Sequence, residues 1–365
     1  MMTKEQIIHA LSHVEEPDLG KDLVTLNMVK DIAIDGEKVS FTVVLTTPAC
    51  PLKDLIRNAC INAVKHFVNK EAIVTVNMTA NVNSTRKDAR TVLPGVKNVI
   101  MVASGKGGVG KSTVAANLAI ALGEGGAAVG LMDADIYGPS VPIMFGARGE
   151  RPMMVSVDGV GKIAPMEKFG IKFMSIGLLV DEKQAIVWRG PMLSSALRQF
   201  VTDVHWGELD YLIIDMPPGT GDVQLTLVQT VPVTGAVIVT TPQEVALADA
   251  KKGIAMFASS AINVPVIGLV ENMAYFTPKE LPENKYYIFG KEGGKRLASE
   301  LDIPFLGQIP LVQGIREGGD YGQPAIIGDD EATKKAFIDF AGATARGIAM
   351  RNANLAPTKI VEVMV

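Results

Sequence analysis

Apolar and polar residues alternate in two different ways along the chain, and the change between them lies near residue 97. The first segment begins with a capping box formed by Thr3 and Gln6. Four apolar residues then follow at the spacing of one helical face: Ile7, Ile8, Leu11 and Val14. The pattern therefore predicts an amphipathic helix at the start of the chain.

A hairpin, a helix and a strand complete the pattern of the first segment. The β-rich runs Val29–Ile34 and Lys38–Leu45 flank the dipeptide Asp35-Gly36, which is a strong hairpin signal. Pro51 opens a second helical pattern, and residues 72–82 resemble a further strand. Residues 1–82 therefore predict a small α+β domain.

Beyond a polar, basic stretch at residues 83–97, which is typical of a linker, short apolar runs alternate with helical patterns. Several runs are nearly continuous in Val, Ile, Leu and Met, as in parallel strands that are covered on both faces. The runs are Val99–Ala103, Ala128–Met132, Ile171–Ile176, Tyr211–Met216, Ala236–Thr240, Val266–Val270 and Phe305–Gln308. Residues 98–352 therefore predict a doubly wound α/β domain with a mainly parallel sheet, followed by a C-terminal tail at 353–365.

Composition and charge narrow the class of protein. Lys and Arg number 35 against 39 Asp and Glu, so no broad cationic surface favours a nucleic-acid partner. No apolar run approaches the roughly 18 residues that a membrane span needs. The polar N-terminus lacks a signal-peptide pattern, and the two cysteines, Cys50 and Cys60, are too few for a disulfide framework. These observations predict a cytoplasmic protein.

The most specific motif is a glycine-rich loop between a predicted strand and a predicted helix. It consists of Gly105, Lys106, Gly107, Gly108, Val109, Gly110, Lys111, Ser112 and Thr113, and it satisfies the pattern G-x-x-x-x-G-K-[ST]. Glycines let successive backbone N–H groups curl around phosphate oxygens, and the following helix adds its positive end. Lys111 is expected to reach the β- and γ-phosphates of ATP, and the Ser112 hydroxyl to ligate Mg²⁺.

Two acidic segments accompany this loop. Asp133-Ala134-Asp135 closes the second predicted strand of the domain, and Asp215 ends the run Tyr211–Ile214. A carboxylate at the carboxyl end of such a strand reaches Mg²⁺ directly or through water, so we expect Asp215 to bind the metal. The segment 217–222, rich in Pro and Gly, follows Asp215 as a switch segment does.

A second lysine, Lys106, directly follows the first glycine of the loop, and this makes the loop resemble the deviant Walker A motif of ParA/MinD-class ATPases. The resemblance implies that Lys106 crosses a dimer interface to the partner's nucleotide. It also implies that Asp135 orients or activates the attacking water. A solvated loop lysine remains the alternative for Lys106.

Five further segments resemble the Mrp/ApbC family of iron–sulfur cluster carriers. They are DADIYGPS (133–140), RGPM (189–192), DMPPGTGD (215–222), VENMAYF (270–276) and IFGKEGG (288–294). The resemblance implies a slow ATPase, working as a homodimer and coupled to transfer of a cluster or partner. It implies apo iron–sulfur proteins or assembly factors as partners, and contact of Asn272 with the adenine ring.

The N-terminal domain resembles the small PaaD/SufT-type domain of iron–sulfur assembly in the segments EPDLG (16–20) and TTPACP (46–51). Cys50 directly precedes the predicted helix, whose N-terminal end favours a thiolate that could ligate iron or a cluster. An inert, buried Cys50 is the alternative. Cys60 lies on an apolar helical stretch and is expected in the core.

One feature departs from the Mrp/ApbC pattern. Members of that family carry a C-x-x-C pair shortly after the E-N-M segment, and two subunits share a cluster through it. The corresponding stretch here, 277–283, reads TPKELPE and has no cysteine. Two functions therefore stay open: an ATP-dependent cluster carrier, or an ATP-switched adaptor or positioning protein that binds partners without a cluster.

Overall fold

The structure is a computed structural model that describes residues 2–84, 92–179, 190–278, 280–281, 283–357 and 360. Residues 85–91 of the predicted linker, most of the C-terminal tail and Arg189 of the RGPM segment lie outside the described residues. The chain divides into two compact units. The first runs to Asn83 and includes Ala349–Leu355, and the second takes the stretch from Ser84 to Ile348.

The first unit is an α+β structure of two helices and five strands. In chain order they are α1 (Lys4–Leu11), β1 (Glu15–Glu16), β2 (Lys21–Asp22), β3 (Val29–Asp35), β4 (Lys38–Leu45), α2 (Lys53–Phe67) and β5 (Ile73–Ala80). The predicted capping box is present: the Thr3 hydroxyl accepts from the Gln6 N–H at 3.3 Å, and the Gln6 side chain accepts from the Thr3 N–H at 3.0 Å. The predicted strand 38–45 has the bounds of β4.

The core of this unit lies on one face of the sheet β3-β4-β5, in which β4 pairs antiparallel with β3 and parallel with β5. Alternate residues of β4 are buried there, as a one-sided sheet requires: Val39, Phe41, Val43 and Leu45. Cys60 of α2 packs in the same cluster. The prediction that a helix opens at Pro51 is wrong by two residues, because Pro51 and Leu52 form a turn before α2.

The second unit is built on an eight-stranded sheet. Its elements, in chain order, are β6 (Val96–Ala103), α3 (Lys111–Glu124), β7 (Val129–Asp133), α4 (Val141–Met144), β8 (Met154–Val157), β9 (Val160–Ile163), β10 (Met166–Lys168), β11 (Ile171–Ser175), α5 (Gly190–Asp203), β12 (Leu209–Asp215), α6 (Asp222–Val228), β13 (Gly235–Thr240), α7 (Glu244–Ala258), β14 (Val266–Glu271), α8 (Gly293–Glu300), β15 (Phe305–Gln308), α9 (Gln313–Tyr321) and α10 (Glu331–Asn354). The part of α10 from Ala349 onward belongs to the first unit. Within these described elements, no helix is long and apolar enough to cross a bilayer.

The strand order is β10-β11-β7-β12-β6-β13-β14-β15, and every neighbouring pair except β10/β11 is parallel. The chain extends the sheet from β6 toward β11, then returns to the centre and extends it in the other direction through β15. This reversal confirms the predicted doubly wound fold. Such sheets bind ligands outside the carboxyl ends of the strands at the point of reversal, which here lies around β6.

All seven predicted strands are present, and the differences lie at their ends and at the margins of the sheet. β6 begins at Val96, so Val96 and Lys97 of the predicted linker belong to a strand. α10 continues to Asn354, two residues past the predicted end of the domain. The hairpin β8–β9 and the antiparallel edge strand β10 were not predicted, because they are short and mostly half-exposed and carry no continuous apolar run.

Candidate functional site

The predicted phosphate-binding loop joins β6 to α3, at the point where the sheet reverses direction. Gly108 and Gly110 have φ angles of 81° and 78°, in the left-handed region that favours glycine. A Cβ at Gly105 would lie 2.1 Å from the backbone carbonyl of Asp249. α3 begins at Lys111, and its cap residue Gly110 provides no side-chain acceptor. The first N–H groups of α3 are therefore available to an anion.

Lys111 and Asp215 form a buried ion pair at the centre of this site. The Lys111 Nζ lies 2.5 Å from the Asp215 Oδ1 and 3.2 Å from the Ser112 Oγ. The two side chains are 6% and 0% exposed, respectively. Burial raises the pKa of Asp215, and the ammonium of Lys111 opposes that rise. The structure thus brings together the residues that sequence analysis assigned to phosphate and Mg²⁺.

The second carboxylate oxygen of Asp215 is available to bind a metal ion. Its Oδ2 is buried and has no hydrogen-bond partner among the described residues. Burial raises the pKa of Asp133 and of Asp135, and the Lys111 ammonium opposes the rise in both, so three carboxylates lie near one ammonium. This excess of negative charge and the free oxygen fit Mg²⁺, which takes oxygen ligands.

The described residues do not by themselves supply a complete set of ligands for a metal ion. Among the described residues, no group of three His, Cys, Asp or Glu side chains is arranged to hold a metal ion. Mg²⁺ commonly keeps several waters and binds one or two protein ligands together with phosphate oxygens. The Ser112 hydroxyl and Asp215 are the residues that could hold it in this way.

Asp133 is a residue whose role the sequence analysis missed. It is opposite Asp215 in the parallel register of β7 and β12. Its Oδ1 accepts from the Asp135 N–H at 3.1 Å, and its Oδ2 accepts from the Val141 N–H at 3.2 Å and the Ser175 hydroxyl at 2.9 Å. Burial, followed by the neighbouring Asp215 carboxylate, raises its pKa to about 7. Asp133 therefore anchors both ends of the loop that carries Asp135.

Asp135 is half-buried directly after this anchor. Burial raises its pKa, and the Lys111 ammonium opposes the rise. In addition, the Gln224 side chain donates to the carbonyls of Pro217 at 3.0 Å and Gly219 at 2.8 Å and so closes the switch segment 217–222. The Gly219 N–H in turn donates to the Ser104 carbonyl at 3.0 Å. The loop of Asp135 is thus tied to the end of β7, and the switch segment to the residue that follows β6.

Lys106 and Asn272 are the two remaining residues that the family resemblance assigns to the nucleotide site. Lys106 is exposed, and its side chain forms no hydrogen bond or ion pair with any residue that the structure describes. Asn272 is 6% exposed, and its Nδ2 donates to the Val109 carbonyl at 2.8 Å. A Cβ at Gly110 would lie 2.3 Å from the same Nδ2. The structure therefore places Asn272 against the loop backbone, a contact that the sequence did not predict.

The two cysteines differ in environment. Cys60 is 0% exposed, and burial raises the pKa of its thiol to about 12, so its predicted core position is confirmed. Cys50 is partly buried and lies two residues before Leu52, the cap residue of α2. The expectation that Cys50 directly precedes the helix is therefore wrong, because α2 begins only at Lys53. The electrostatic effect of a helix end falls off within one turn, so the separation weakens its effect on the Cys50 thiol.

This difference predicts selective reaction of the thiols. At pH 8, iodoacetamide should modify Cys50 in the folded protein and leave Cys60 unmodified, because only a deprotonated, accessible thiol reacts. Peptide mass spectrometry after a short exposure checks the result, and both residues should react when the chain is denatured. Rapid modification of Cys60 in the folded protein would contradict the buried position.

Two protein-family models match the chain. The model described as NUBPL iron-transfer P-loop NTPase, of ParA type, covers residues 95–344. A second model, described as iron–sulfur cluster assembly protein, covers residues 4–78. Together they span both units of the structure.

Two relatives that match over nearly the whole chain carry the same name. A Synechocystis sp. protein named iron–sulfur cluster carrier protein is 49% identical over 352 residues, which are 96% of this chain and 99% of the relative. A Deinococcus radiodurans protein of the same name is 46% identical over 357 residues, or 98% and 99% of the two chains.

Among solved structures, the chain is similar to a nucleotide-binding protein from Archaeoglobus fulgidus in complex with ADP. The two are 38% identical, the TM-score is 0.57, and the match covers 67% of this chain and 94% of the other. The likeness is thus to a protein that holds a nucleotide.

Proposed function

Since the chain belongs to the family of ParA-type, NUBPL iron-transfer P-loop NTPases, we propose that it is an iron–sulfur cluster carrier that hydrolyses ATP and works as a nucleotide-gated homodimer. The observation that carries this proposal is the buried Lys111–Asp215 pair beside Asp133 and Asp135, at the carboxyl edge of the sheet. The second match, over residues 4–78, supports a role in cluster assembly for the N-terminal unit. The cytoplasmic location remains a prediction.

Phosphate binding depends on the loop and on Lys111. The N–H groups of the loop and of the first turn of α3 bind phosphate oxygens, and Lys111 moves its ammonium from Asp215 to the β- and γ-phosphates. Ser112 and the released Asp215 would hold Mg²⁺, and the ion would neutralise charge on the phosphates. Phosphoryl transfer needs little more than positioning and such neutralisation, so these residues carry most of the rate enhancement.

Asp135 and Lys106 complete the hydrolytic site. Asp135 is held by the Asp133 anchor at the edge of the carboxylate cluster, where it orients the attacking water. The exposed Lys106 reaches the nucleotide of the partner subunit and contributes positive charge there. Hydrolysis removes the γ-phosphate that both subunits bind, and the dimer then opens.

The side-chain amide of Asn272 can contact the loop and the nucleotide base at the same time. One N–H of its amide is donated to the Val109 carbonyl. The amide oxygen and the other N–H are the groups that can recognise an adenine ring. Base recognition and the shape of the phosphate-binding loop then depend on the same side chain.

Few residues of this chain can bind the iron–sulfur cluster that a carrier would transfer. Cys50 is the thiol available for iron, because Cys60 lies in the core and residues 277–283 contain no cysteine. Clusters commonly take four thiolates, so one Cys50 from each subunit would leave half of the ligand positions to a client protein. This deficit favours a second candidate function, an ATP-switched adaptor that binds iron–sulfur proteins without a cluster.

Anaerobic reconstitution with iron and sulfide separates the two functions. For a carrier, we expect the wild-type protein to gain the absorbance and iron content of one cluster per dimer. We expect Cys50→Ser to lose both, because it removes the iron-binding thiolate. The matched control is Cys60→Ala, which removes a buried thiol and should retain the cluster. Absence of iron from the wild-type protein, with normal ATP hydrolysis, would favour the adaptor.

A further inference from the structure

Glu271 is a fully buried carboxylate that the proposed chemistry does not use. It ends β14 and is 0% exposed. Its Oε1 accepts from the Gln308 Nε2 at 2.8 Å, and its Oε2 accepts from the backbone N–H of Gly294. Its backbone carbonyl accepts from the Ile309 N–H at 2.9 Å. Glu271 therefore joins the end of β14 to α8 and to the end of β15.

The start of α8 is shaped to approach this carboxylate. A Cβ at Gly294 would lie 3.0 Å from the Glu271 Oε2, and one at Gly293 would lie 2.5 Å from the Pro242 carbonyl oxygen. Glu292, the cap residue of α8, forms no side-chain cap. Glu271 thus supplies the acceptor that the helix start lacks, and its charge lies at the positive end of the helix. This arrangement gives a physical reason for the glycine pair in IFGKEGG.

The next residue in the chain touches the nucleotide site. Asn272 donates its backbone N–H to the Thr240 carbonyl at 2.8 Å and its side-chain amide to the Val109 carbonyl at 2.8 Å. Asn272 therefore places the phosphate-binding loop relative to β13 and β14. Because Glu271 fixes the end of β14 on its other side, a shift at Glu271 moves the donor that holds the loop.

We propose that Glu271 is a positioning residue for the nucleotide site: it fixes the end of β14 against α8 and β15 and thereby holds the Asn272 amide on the phosphate-binding loop. The inference rests on the nucleotide binding in the proposed function. It concerns the affinity for nucleotide, because a loop that is not held in shape must be ordered when the nucleotide binds.

The test replaces the carboxylate while it preserves the volume of the side chain. Glu271→Met removes both acceptors, and we expect Mg-ADP to bind about tenfold more weakly by calorimetry, with kcat changed less than KM. Glu271→Gln retains an oxygen for the Gly294 N–H, and Gln308 can turn its amide over to accept from the new donor. This conservative variant should therefore bind within about twofold of the wild-type protein.

A double-mutant cycle tests the route through Asn272. If Glu271 acts through Asn272, adding Glu271→Met to Asn272→Ala should change the Kd of Mg-ADP by less than about twofold. Asp210→Ala is the matched control for general destabilisation. Asp210 also links separate parts of the chain through its carboxylate, which accepts from the Ala128 N–H at 3.0 Å and from the Lys97 Nζ at 2.9 Å. It lies at the amino end of β12, whereas Asp215 of the candidate site ends that strand. Asp210→Ala should lower Tm without changing the Kd.

Three outcomes would overturn the inference. They are unchanged Mg-ADP binding by folded Glu271→Met, an equal loss in Glu271→Gln, and full additivity with Asn272→Ala. Gln308→Leu removes only one of the two side-chain hydrogen bonds, and it replaces Glu271→Met if that variant does not fold. We expect a loss of about threefold from Gln308→Leu, and no loss would count against the inference. Failure of the wild-type protein to bind Mg-ADP would instead contradict the proposed function.

Discussion

Lys111→Ala is expected to reduce ATP hydrolysis on the order of a thousandfold, to the background rate. The substitution removes the ammonium that we propose reaches the β- and γ-phosphates, and no other side chain in the described part of the loop can replace it, since Lys106 is exposed. It also leaves the buried Asp215 without its counter-ion, which costs about 3 kcal/mol of the free energy of unfolding in the absence of Mg²⁺. Phosphate release and chemical denaturation measure the two effects.

Lys97→Ala is the matched control for this experiment. Lys97 pairs with Asp210 at 2.9 Å, near the beginning of the strand that Asp215 ends. This pair is 39% and 18% exposed, so its loss should have a small effect on stability and none on hydrolysis. Normal turnover by a folded Lys111→Ala protein would contradict the assignment of the site.

Lys106→Ala is expected to lower kcat on the order of a thousandfold while the Kd for Mg-ATP stays unchanged. The reason is that a cation supplied by the partner subunit acts on the charge of the transition state, whereas Lys111 and the loop amides of the same chain bind the nucleotide. Steady-state kinetics and calorimetry separate the two quantities. For the wild-type protein, turnover per chain should also rise with protein concentration as dimers form.

Lys252→Ala is the control for the loss of an exposed lysine. Lys252 belongs to α7, and the Lys252 side chain is 74% exposed. Asp249 of the same helix packs its backbone against Gly105 of the loop. Lys252→Ala should leave kcat unchanged. A turnover that depends neither on protein concentration nor on Lys106 would contradict the role of a partner subunit.

The parts of the molecule that were predictable from sequence depend on contacts between near neighbours in the chain. The capping box at Thr3, the strand 38–45 and the phosphate-binding loop each follow from residue types within a few positions of one another. The position of Asp215 at the end of a strand beside the loop was also predictable, because the ends of parallel strands meet at one edge of a sheet, whereas its binding of Mg²⁺ stays a prediction.

The parts that were not predictable depend on partners far apart in sequence. The Asp133 carboxylate accepts from the Ser175 hydroxyl, 42 residues away, and Asn272 meets Val109 across 163 residues. No local pattern marks either pair. Cys50 shows that a local pattern can also fail over a short range, since the helix after it begins two residues later than a proline-initiated pattern suggests. A shift of that size changes the electrostatic environment of a thiol without changing the fold.

The edges of the eight-stranded sheet have a consequence for self-association. One edge is the three-residue antiparallel strand β10, and the other is the four-residue strand β15, whose pairing with β14 shifts register. Such edges expose little unpaired backbone, so they resist the edge-to-edge joining that leads to aggregation. Two copies gain little by merging their sheets into one continuous structure. For the proposed homodimer, we therefore expect association through loops and side chains around the triphosphate, where a small diffusible molecule can make it reversible.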